Sequence, residues 1–189
     1  MAEYRFRVHG SVADVDFAEG NPRMGLEVGQ ELLVDVLSSD ASEWREVWAH
    51  HDWPDQVKRT IDIFKMLVGL PRDSVQNYVV AMACEPSDVL VVHTLQHLAG
   101  LTVPLPVIPL FELLEDLERA PSTMERLWSI DKYRELIRIA DDSGIVAARQ
   151  GIHLGYSDSA KDAGRLLAAW AIFRVQVRAR RKPIPSLTF

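Results

Sequence analysis

Two acidic residues stand where a parallel β-sheet would bring them together. Glu112 directly follows the apolar run Val107–Phe111, and Asp158 follows a second strand candidate at residues 152–156. Both runs are typical of strands, and functional groups gather where neighbouring parallel strands end. Two carboxylates at such an edge form an oxygen-rich site that suits Mg²⁺ or Mn²⁺, with water and substrate oxygens as the remaining ligands.

Lys161 adds a positive charge to this group. It lies three residues after Asp158, at the start of a helix expected from about residue 160 to residue 181. A lysine and a helix N-terminus both favour an anion, so a metal ion and an anionic substrate could share one cleft. The alternative is that Asp158 or Ser159 only caps this helix, as such residues often do.

The elements that must position these residues alternate between helix and strand, as apolar periodicity and Pro or Gly stop signals indicate. In chain order they are a helix from Asp55 to near Gly69, a buried strand at 78–83, a helix from Pro86 to the C-cap Gly100, the strand Val107–Phe111, acidic helical sequence through Arg138, a strand at 152–156 and the long final helix. This order predicts a helix-rich α/β fold with a parallel sheet.

The first third of the chain shows no candidate chemistry. Residues 4–8 alternate as in a short strand, and residues 11–29 carry loop signals such as Pro22 and Gly25. Short helices are expected at 32–37 and 44–51, the second ended by Trp53 and Pro54.

The other reactive side chains are weaker candidates. His93 and His97 have the four-residue spacing of zinc ligands, but neither has an adjacent glutamate, so we interpret them as surface or packing residues. Cys84 ends a predicted strand with nothing nearby in sequence to lower its pKa, which favours a small buried side chain over a nucleophile. A catalytic use of the His50-His51-Asp52 run is not favoured, since a helix end and a turn explain it.

Composition restricts the classes of protein further. The chain has 189 residues, 48% of them apolar, which is the profile of one globular unit. Its net charge of −6 disfavours nucleic acid as a partner, and the basic C-terminal run from Arg174 to Lys182 complements a helix dipole. The chain has one cysteine, which fits a reducing compartment. It has no apolar run long enough for a bilayer and no signal-peptide pattern, so we predict a cytoplasmic protein without a membrane partner.

Four segments in fixed order carry a resemblance to a known family. The longest, LGYSDSAKDAG at 154–164, resembles the G-Y-S-D-S-x-K-D-A-G signature of phosphoenolpyruvate carboxylase. The segments AMACEPSDVL at 81–90, PVIPLFE at 106–112 and SIDKYR at 129–134 are similar to the family's S-M-A-x-x-P-S-D-V-L, P-V-x-P-L-F-E and S-I-D-W-Y-R segments, with Lys132 in place of the tryptophan. The resemblance extends over roughly residues 60–176.

The resemblance implies a fold and a reaction. The family joins bicarbonate to phosphoenolpyruvate and releases oxaloacetate and phosphate with Mg²⁺ or Mn²⁺, a lyase reaction that fixes carbon dioxide and feeds the tricarboxylic acid cycle. Its fold is a mostly helical protein around an eight-stranded TIM-like barrel, usually a homotetramer. Carried over by motif, Glu112 and Asp158 are metal ligands, and Lys161 is the catalytic residue that handles bicarbonate.

The departures from the family are also specific. The 189 residues contain neither the T-A-H-P-T segment with the catalytic histidine nor the Arg- and Gly-rich phosphate segment. Residues 139–149 resemble an insertion of roughly nine residues, which costs little loop entropy. His153 replaces a methionine, and its strand parity predicts that it points toward the packing helices.

We therefore expect a partial barrel at 56–182, between an unassigned segment at 1–55 and a tail at 183–189. As a fragment carrying the metal and bicarbonate end of the site, it is expected to be inactive alone. Open sheet edges predict poor solubility or partnering, as a homo-oligomer or with larger carboxylase subunits. A non-catalytic interaction fragment that pairs with full-length subunits is the alternative function.

Overall fold

The computed structural model describes residues 22–50, 55–71, 74–140 and 146–181. The helices are Pro22–Ser38 (α1), Ala41–His50 (α2), Asp55–Val68 (α3), Pro86–Ala99 (α4), Leu114–Ser129 (α5), Asp131–Leu136 (α6), Tyr156–Ala163 (α7) and Arg165–Arg181 (α8). The strands are Tyr78–Val80 (β1), Val107–Phe111 (β2), Arg138–Ala140 (β3), Val146–Ala148 (β4) and His153–Leu154 (β5). The strand expected at residues 4–8 lies outside the described residues.

Three strands form a parallel sheet with the order β1-β2-β5. Tyr78 of β1 is in register with Val107 of β2, and Leu110 of β2 is in register with His153 of β5. Helix α4 connects β1 to β2, as expected for a parallel pair that needs a crossover. The helix-rich α/β class is therefore confirmed, with β2 at the centre of the sheet.

The segment expected as an insertion forms its own hairpin. Strands β3 and β4 pair antiparallel with each other, Arg138 opposite Ala148. Because neither strand joins the parallel sheet, the chain leaves and returns without separating β2 from β5. The two strands that precede Glu112 and Asp158 are thus direct neighbours.

The core lies around α4 and the central strand. Val107 and Phe111 of β2 are buried, and they belong to one apolar cluster with Phe64 of α3, Leu90 of α4 and Leu117 of α5. Leu37 places α1 in the same cluster.

The ends of α4 follow the expected signals. Pro86 occupies the first turn, and the Asp88 carboxylate accepts hydrogen bonds from the backbone N–H groups of Cys84 and Glu85, at 2.9 and 2.8 Å. Gly100 ends the helix with φ +95°, a conformation that glycine adopts without steric cost.

Several local expectations were wrong. Helix α1 already begins at Pro22, so the loop expected through Gly29 is helical from that residue on. Proline is favoured in a first helical turn, and packing of α1 against α4 offsets the low helix propensity of Gly25 and Gly29.

The strands and the last helix also differ from the prediction. Strand β1 ends at Val80, before Met82 with its φ of +55°, and Val79 is 40% exposed, so β1 is not the fully buried strand that its apolar run predicted. The final helix is divided: α7 begins at Tyr156 rather than near residue 160, and Gly164 with φ +81° separates it from α8. His153 is exposed and does not point into the helices.

Candidate metal and anion site

Glu112 lies at the carboxyl edge of the parallel sheet. It is the first residue after β2, next to the fully buried Phe111, and its own side chain is partly buried. The backbone N–H of Gly155 donates a 2.8 Å hydrogen bond to the Phe111 carbonyl, which brings the end of β5 beside Glu112.

Gly155 makes this close approach possible. A Cβ at residue 155 would lie 3.1 Å from the Cα and 3.2 Å from the Cγ of Glu112. These distances are tighter than ordinary contacts, so a larger residue would displace the Glu112 side chain. Sequence reasoning assigned Gly155 no role beyond the motif.

Asp158 lies in the first turn of α7, not at the end of a strand. Gly155 is the N-cap of this helix, and the buried Ser159 hydroxyl donates to the carbonyl oxygens of Gly155 and Tyr156. The alternative in which Asp158 or Ser159 caps the helix is therefore wrong. Asp158 is left about half exposed and open to a ligand.

Lys161 is an ion-pair partner of Asp158. Its Nζ lies 3.3 Å from Asp158 Oδ1, one helical turn along α7, and the lysine is largely exposed. Such an exposed pair contributes little to stability. The structure thus brings the proposed lysine to one of the two proposed metal-binding carboxylates.

Asp162 connects the two halves of the site. Its Oδ2 accepts a 2.9 Å hydrogen bond from the backbone N–H of Leu114, two residues beyond Glu112. Sequence reasoning missed this role. The only available signal was that Asp162 follows Asp158 by four residues and so shares its helix face, which does not identify the partner.

An open groove of about 560 Å³ lies between α7 and α8. Tyr156, Ser157, Lys161 and Arg165 line it together with apolar side chains of α8. The two cations on its wall, Lys161 and Arg165, favour an anion.

The described residues contain no group of three or more His, Cys, Asp or Glu side chains that could enclose a metal ion. A site built on Glu112 and Asp158 would therefore take its other ligands from water and substrate, as Mg²⁺ sites often do.

The competing candidates are structural. His93 is 2% exposed, and burial lowers its pKa to about 4, whereas the ring of His97 hydrogen-bonds the Ser39 carbonyl at 3.2 Å. This confirms a packing role for His93.

Burial, reinforced by the negative charge of Asp88, raises the pKa of the Cys84 thiol to about 11, so this thiol stays protonated at neutral pH.

Two further candidates fall partly outside the described residues. His51 and Asp52 lie there, as does Lys182 of the basic run. Within the described ranges, Arg174 and Arg178 are exposed on α8.

None of the helices that the structure describes is both long enough and apolar enough to cross a membrane.

Comparison with known proteins supports the family that the motifs indicate. The family model for phosphoenolpyruvate carboxylase matches residues 26–182. Phosphoenolpyruvate carboxylase 1 of Zea mays and phosphoenolpyruvate carboxylase 2 of Arabidopsis thaliana are each 47% identical over 122 residues, and the enzyme of Flaveria pringlei is 46% identical over the same length.

These matches cover 65% of this chain and 12% of each relative. The chain thus spans a small part of the relatives' length. The residues matched by the family model include Glu112, Asp158 and Lys161. Since the family model covers most of the sequence, the chain belongs to the phosphoenolpyruvate carboxylase family.

Proposed function

We propose that this chain is the part of a phosphoenolpyruvate carboxylase that binds the divalent metal ion and handles bicarbonate. The reaction is phosphoenolpyruvate plus bicarbonate to oxaloacetate plus phosphate, and the setting is the cytoplasm. The observation that carries the proposal is the position of Glu112 and Asp158 after two adjacent parallel strands, with Lys161 3.3 Å from Asp158.

The residues present fit Mg²⁺ or Mn²⁺. Two carboxylates are hard oxygen donors, and both are accessible to solvent in part. Glu112 and Asp158 would hold the ion. A bound ion would orient phosphoenolpyruvate and compensate the negative charge of that substrate.

Lys161 is the catalytic residue of this proposal. Its ammonium group lies beside Asp158 and lines the groove with Arg165, so it would attract bicarbonate to the same end of the site. The 189 residues contain neither the family's histidine segment nor its Arg- and Gly-rich segment. We therefore expect the isolated chain to bind metal without catalysing carboxylation.

The architecture that goes with this function is an arc of a TIM-like barrel, at residues 56–182. The three parallel strands and their helices are compatible with such an arc, which needs further strands to close.

An interaction fragment that pairs with carboxylase subunits is the second candidate. It is favoured by the single-sided pairing of β1 and β5, which leaves each of these described strands with one open edge.

The first test is Mn²⁺ titration calorimetry on the chain and on matched amide variants. We expect Asp158→Asn and Glu112→Gln each to weaken Mn²⁺ binding by about tenfold or more, because each removes one of two charged ligands. Glu118→Gln, an exposed site on α5, is the control and should leave affinity unchanged.

A Lys161 variant adds a prediction of opposite sign. Lys161→Met should tighten Mn²⁺ binding by about two- to fivefold at low salt, because the ammonium group repels a cation at Asp158. Absence of Mn²⁺ binding in the unaltered chain, or equal affinity in all variants, would contradict the metal proposal and favour the interaction fragment.

A further inference from the structure

We infer that Asp162 is a positioning residue that holds Asp158 and Lys161 of α7 beside Glu112. This inference rests on the proposed function, because it concerns how the two metal-binding segments are kept together. Nothing in the local sequence joins them: Leu114 and Asp162 are 48 residues apart, and the β3–β4 hairpin lies between them.

The N-terminus of α5 needs an acceptor that its own N-cap does not provide. The first backbone N–H groups of a helix have no partner within the helix, and Leu113 at the N-cap has no side-chain acceptor. Asp116 accepts from the Leu113 N–H at 3.3 Å, and Asp162 of α7 accepts from the Leu114 N–H at 2.9 Å. A carboxylate is also favoured there by the helix dipole.

The two ends of this hydrogen bond lie next to the site residues. Leu114 is two residues after Glu112, and Asp162 is one turn after Asp158 on the same face of α7. The bond therefore fixes the distance between the backbones that carry the two carboxylates. The two segments are also joined by the parallel pairing of β2 with β5 and by the 2.8 Å hydrogen bond from the Gly155 N–H to the Phe111 carbonyl.

Few side chains of α7 are themselves buried. Of its eight residues only Ser159 is buried, and the helix otherwise packs on α8, which in turn packs on α5. The bond from Asp162 is the side-chain hydrogen bond that joins α7 directly to the start of α5. Partners that hydrogen-bond a metal ligand directly commonly change metal affinity by about 10- to 100-fold. Asp162 acts through the backbone N–H of Leu114, so we expect a loss near the lower end of that range.

The experiment compares three variants of the 189-residue chain by Mn²⁺ calorimetry. Asp162→Ala removes the bond, Asp162→Asn keeps an oxygen acceptor at the same place, and Asp116→Ala removes the neighbouring cap without uncoupling α5 from α7. We expect Asp162→Ala to weaken Mn²⁺ binding by about tenfold or more, and Asp162→Asn and Asp116→Ala to stay within about threefold of the unaltered chain. Equal losses in Asp162→Ala and Asp116→Ala, or no loss in Asp162→Ala, would overturn the inference.

Amide hydrogen exchange separates this inference from the metal proposal. In Asp162→Ala, and not in Asp116→Ala, the Gly155 amide should exchange faster, because α7 then moves relative to the end of β2. If the unaltered chain binds no Mn²⁺ but Gly155 still loses protection in Asp162→Ala, the metal proposal fails and the coupling stands. Unchanged Gly155 protection in Asp162→Ala would overturn the coupling itself.

Discussion

His93 lies on α4 with its ring inside the core, edge-on to the ring of Tyr133 at a centroid distance of 5.7 Å. Neither ring nitrogen has a hydrogen-bond partner. Because burial penalises the charged form, the pKa of this imidazole falls to about 4. His93 is therefore neutral in the folded protein at any pH well above 4.

This burial predicts a loss of stability in acid. In the unfolded chain His93 takes up a proton near its ordinary pKa of 6.5, whereas the folded protein takes it up only near 4. The stability is therefore fully present above pH 6.5 and falls as the pH drops toward 4, by on the order of 3 kcal/mol. His93→Leu should remove this part of the pH dependence in urea unfolding experiments.

The matched control for His93 is the exposed His153. His153→Gln should leave the dependence on pH as it is in the unaltered chain, since folding does not bury this side chain. If the free energy of unfolding falls as steeply with decreasing pH in His93→Leu as in the unaltered chain, other groups cause the loss of stability in acid.

At the scale of elements, the connection between α4 and β2 depends on Gln96. This residue is fully buried and forms two hydrogen bonds with the backbone of Leu105, which is itself buried. Its Nε2 donates to the Leu105 carbonyl at 3.2 Å, and its Oε1 accepts from the Leu105 N–H at 2.5 Å. The side chain thus satisfies both backbone groups of Leu105 and fixes the chain two residues before β2 begins.

Gln96→Leu should destabilise the fold by about 2–4 kcal/mol. The substitution keeps an apolar volume of similar size, but it leaves a buried N–H and a buried carbonyl of Leu105 without partners. Urea unfolding monitored by circular dichroism measures the change in the free energy of unfolding. A shift of the urea midpoint with an unchanged m-value gives this change. Gln176→Leu, at an exposed position of α8, is the control and should change stability by less than about 0.5 kcal/mol.

At the scale of the whole molecule, α8 has two apolar faces. Ala168, Ile172 and Val175 are buried, and the helix packs on α5 and α7. On another face Leu166, Trp170 and Phe173 are 88%, 55% and 52% exposed, and the rings of Trp170 and Phe173 stack. A helix that is apolar on most sides is normally covered on most sides.

We expect this face to make the isolated chain self-associate as its concentration rises. The double variant Leu166→Gln/Trp170→Gln should remain monomeric over a wider range of concentrations in light scattering. Met66→Gln changes an equally exposed apolar residue on α3 and serves as the control. Association that is unchanged in the double variant, or equally reduced by Met66→Gln, would place the contact elsewhere.

The sequence by itself was enough for the family and for the alternation of helices and strands around the parallel sheet, but not for the start of α1, the pairing of β3 with β4 or the division of the last helix. Helical and strand periodicity record which local faces are buried, so α3, α4, β2 and the segment before Asp158 were predictable with their stop signals. Glu112, Asp158 and Lys161 were proposed as site residues because the end of a predicted strand and a long motif are both local features, and their roles stay predictions. The boundary predicted at residue 55 and the barrel itself stay predictions.

Only the tertiary structure decided what these residues contact. The bond from Leu114 to Asp162 joins positions 48 residues apart, and no local pattern specifies such a pair. Whether His153 is exposed, whether one face of α8 is covered and where α7 begins all depend on which elements pack together. Local sequence biases each backbone conformation, but the long-range contacts that select among the allowed conformations exist only once the chain has folded.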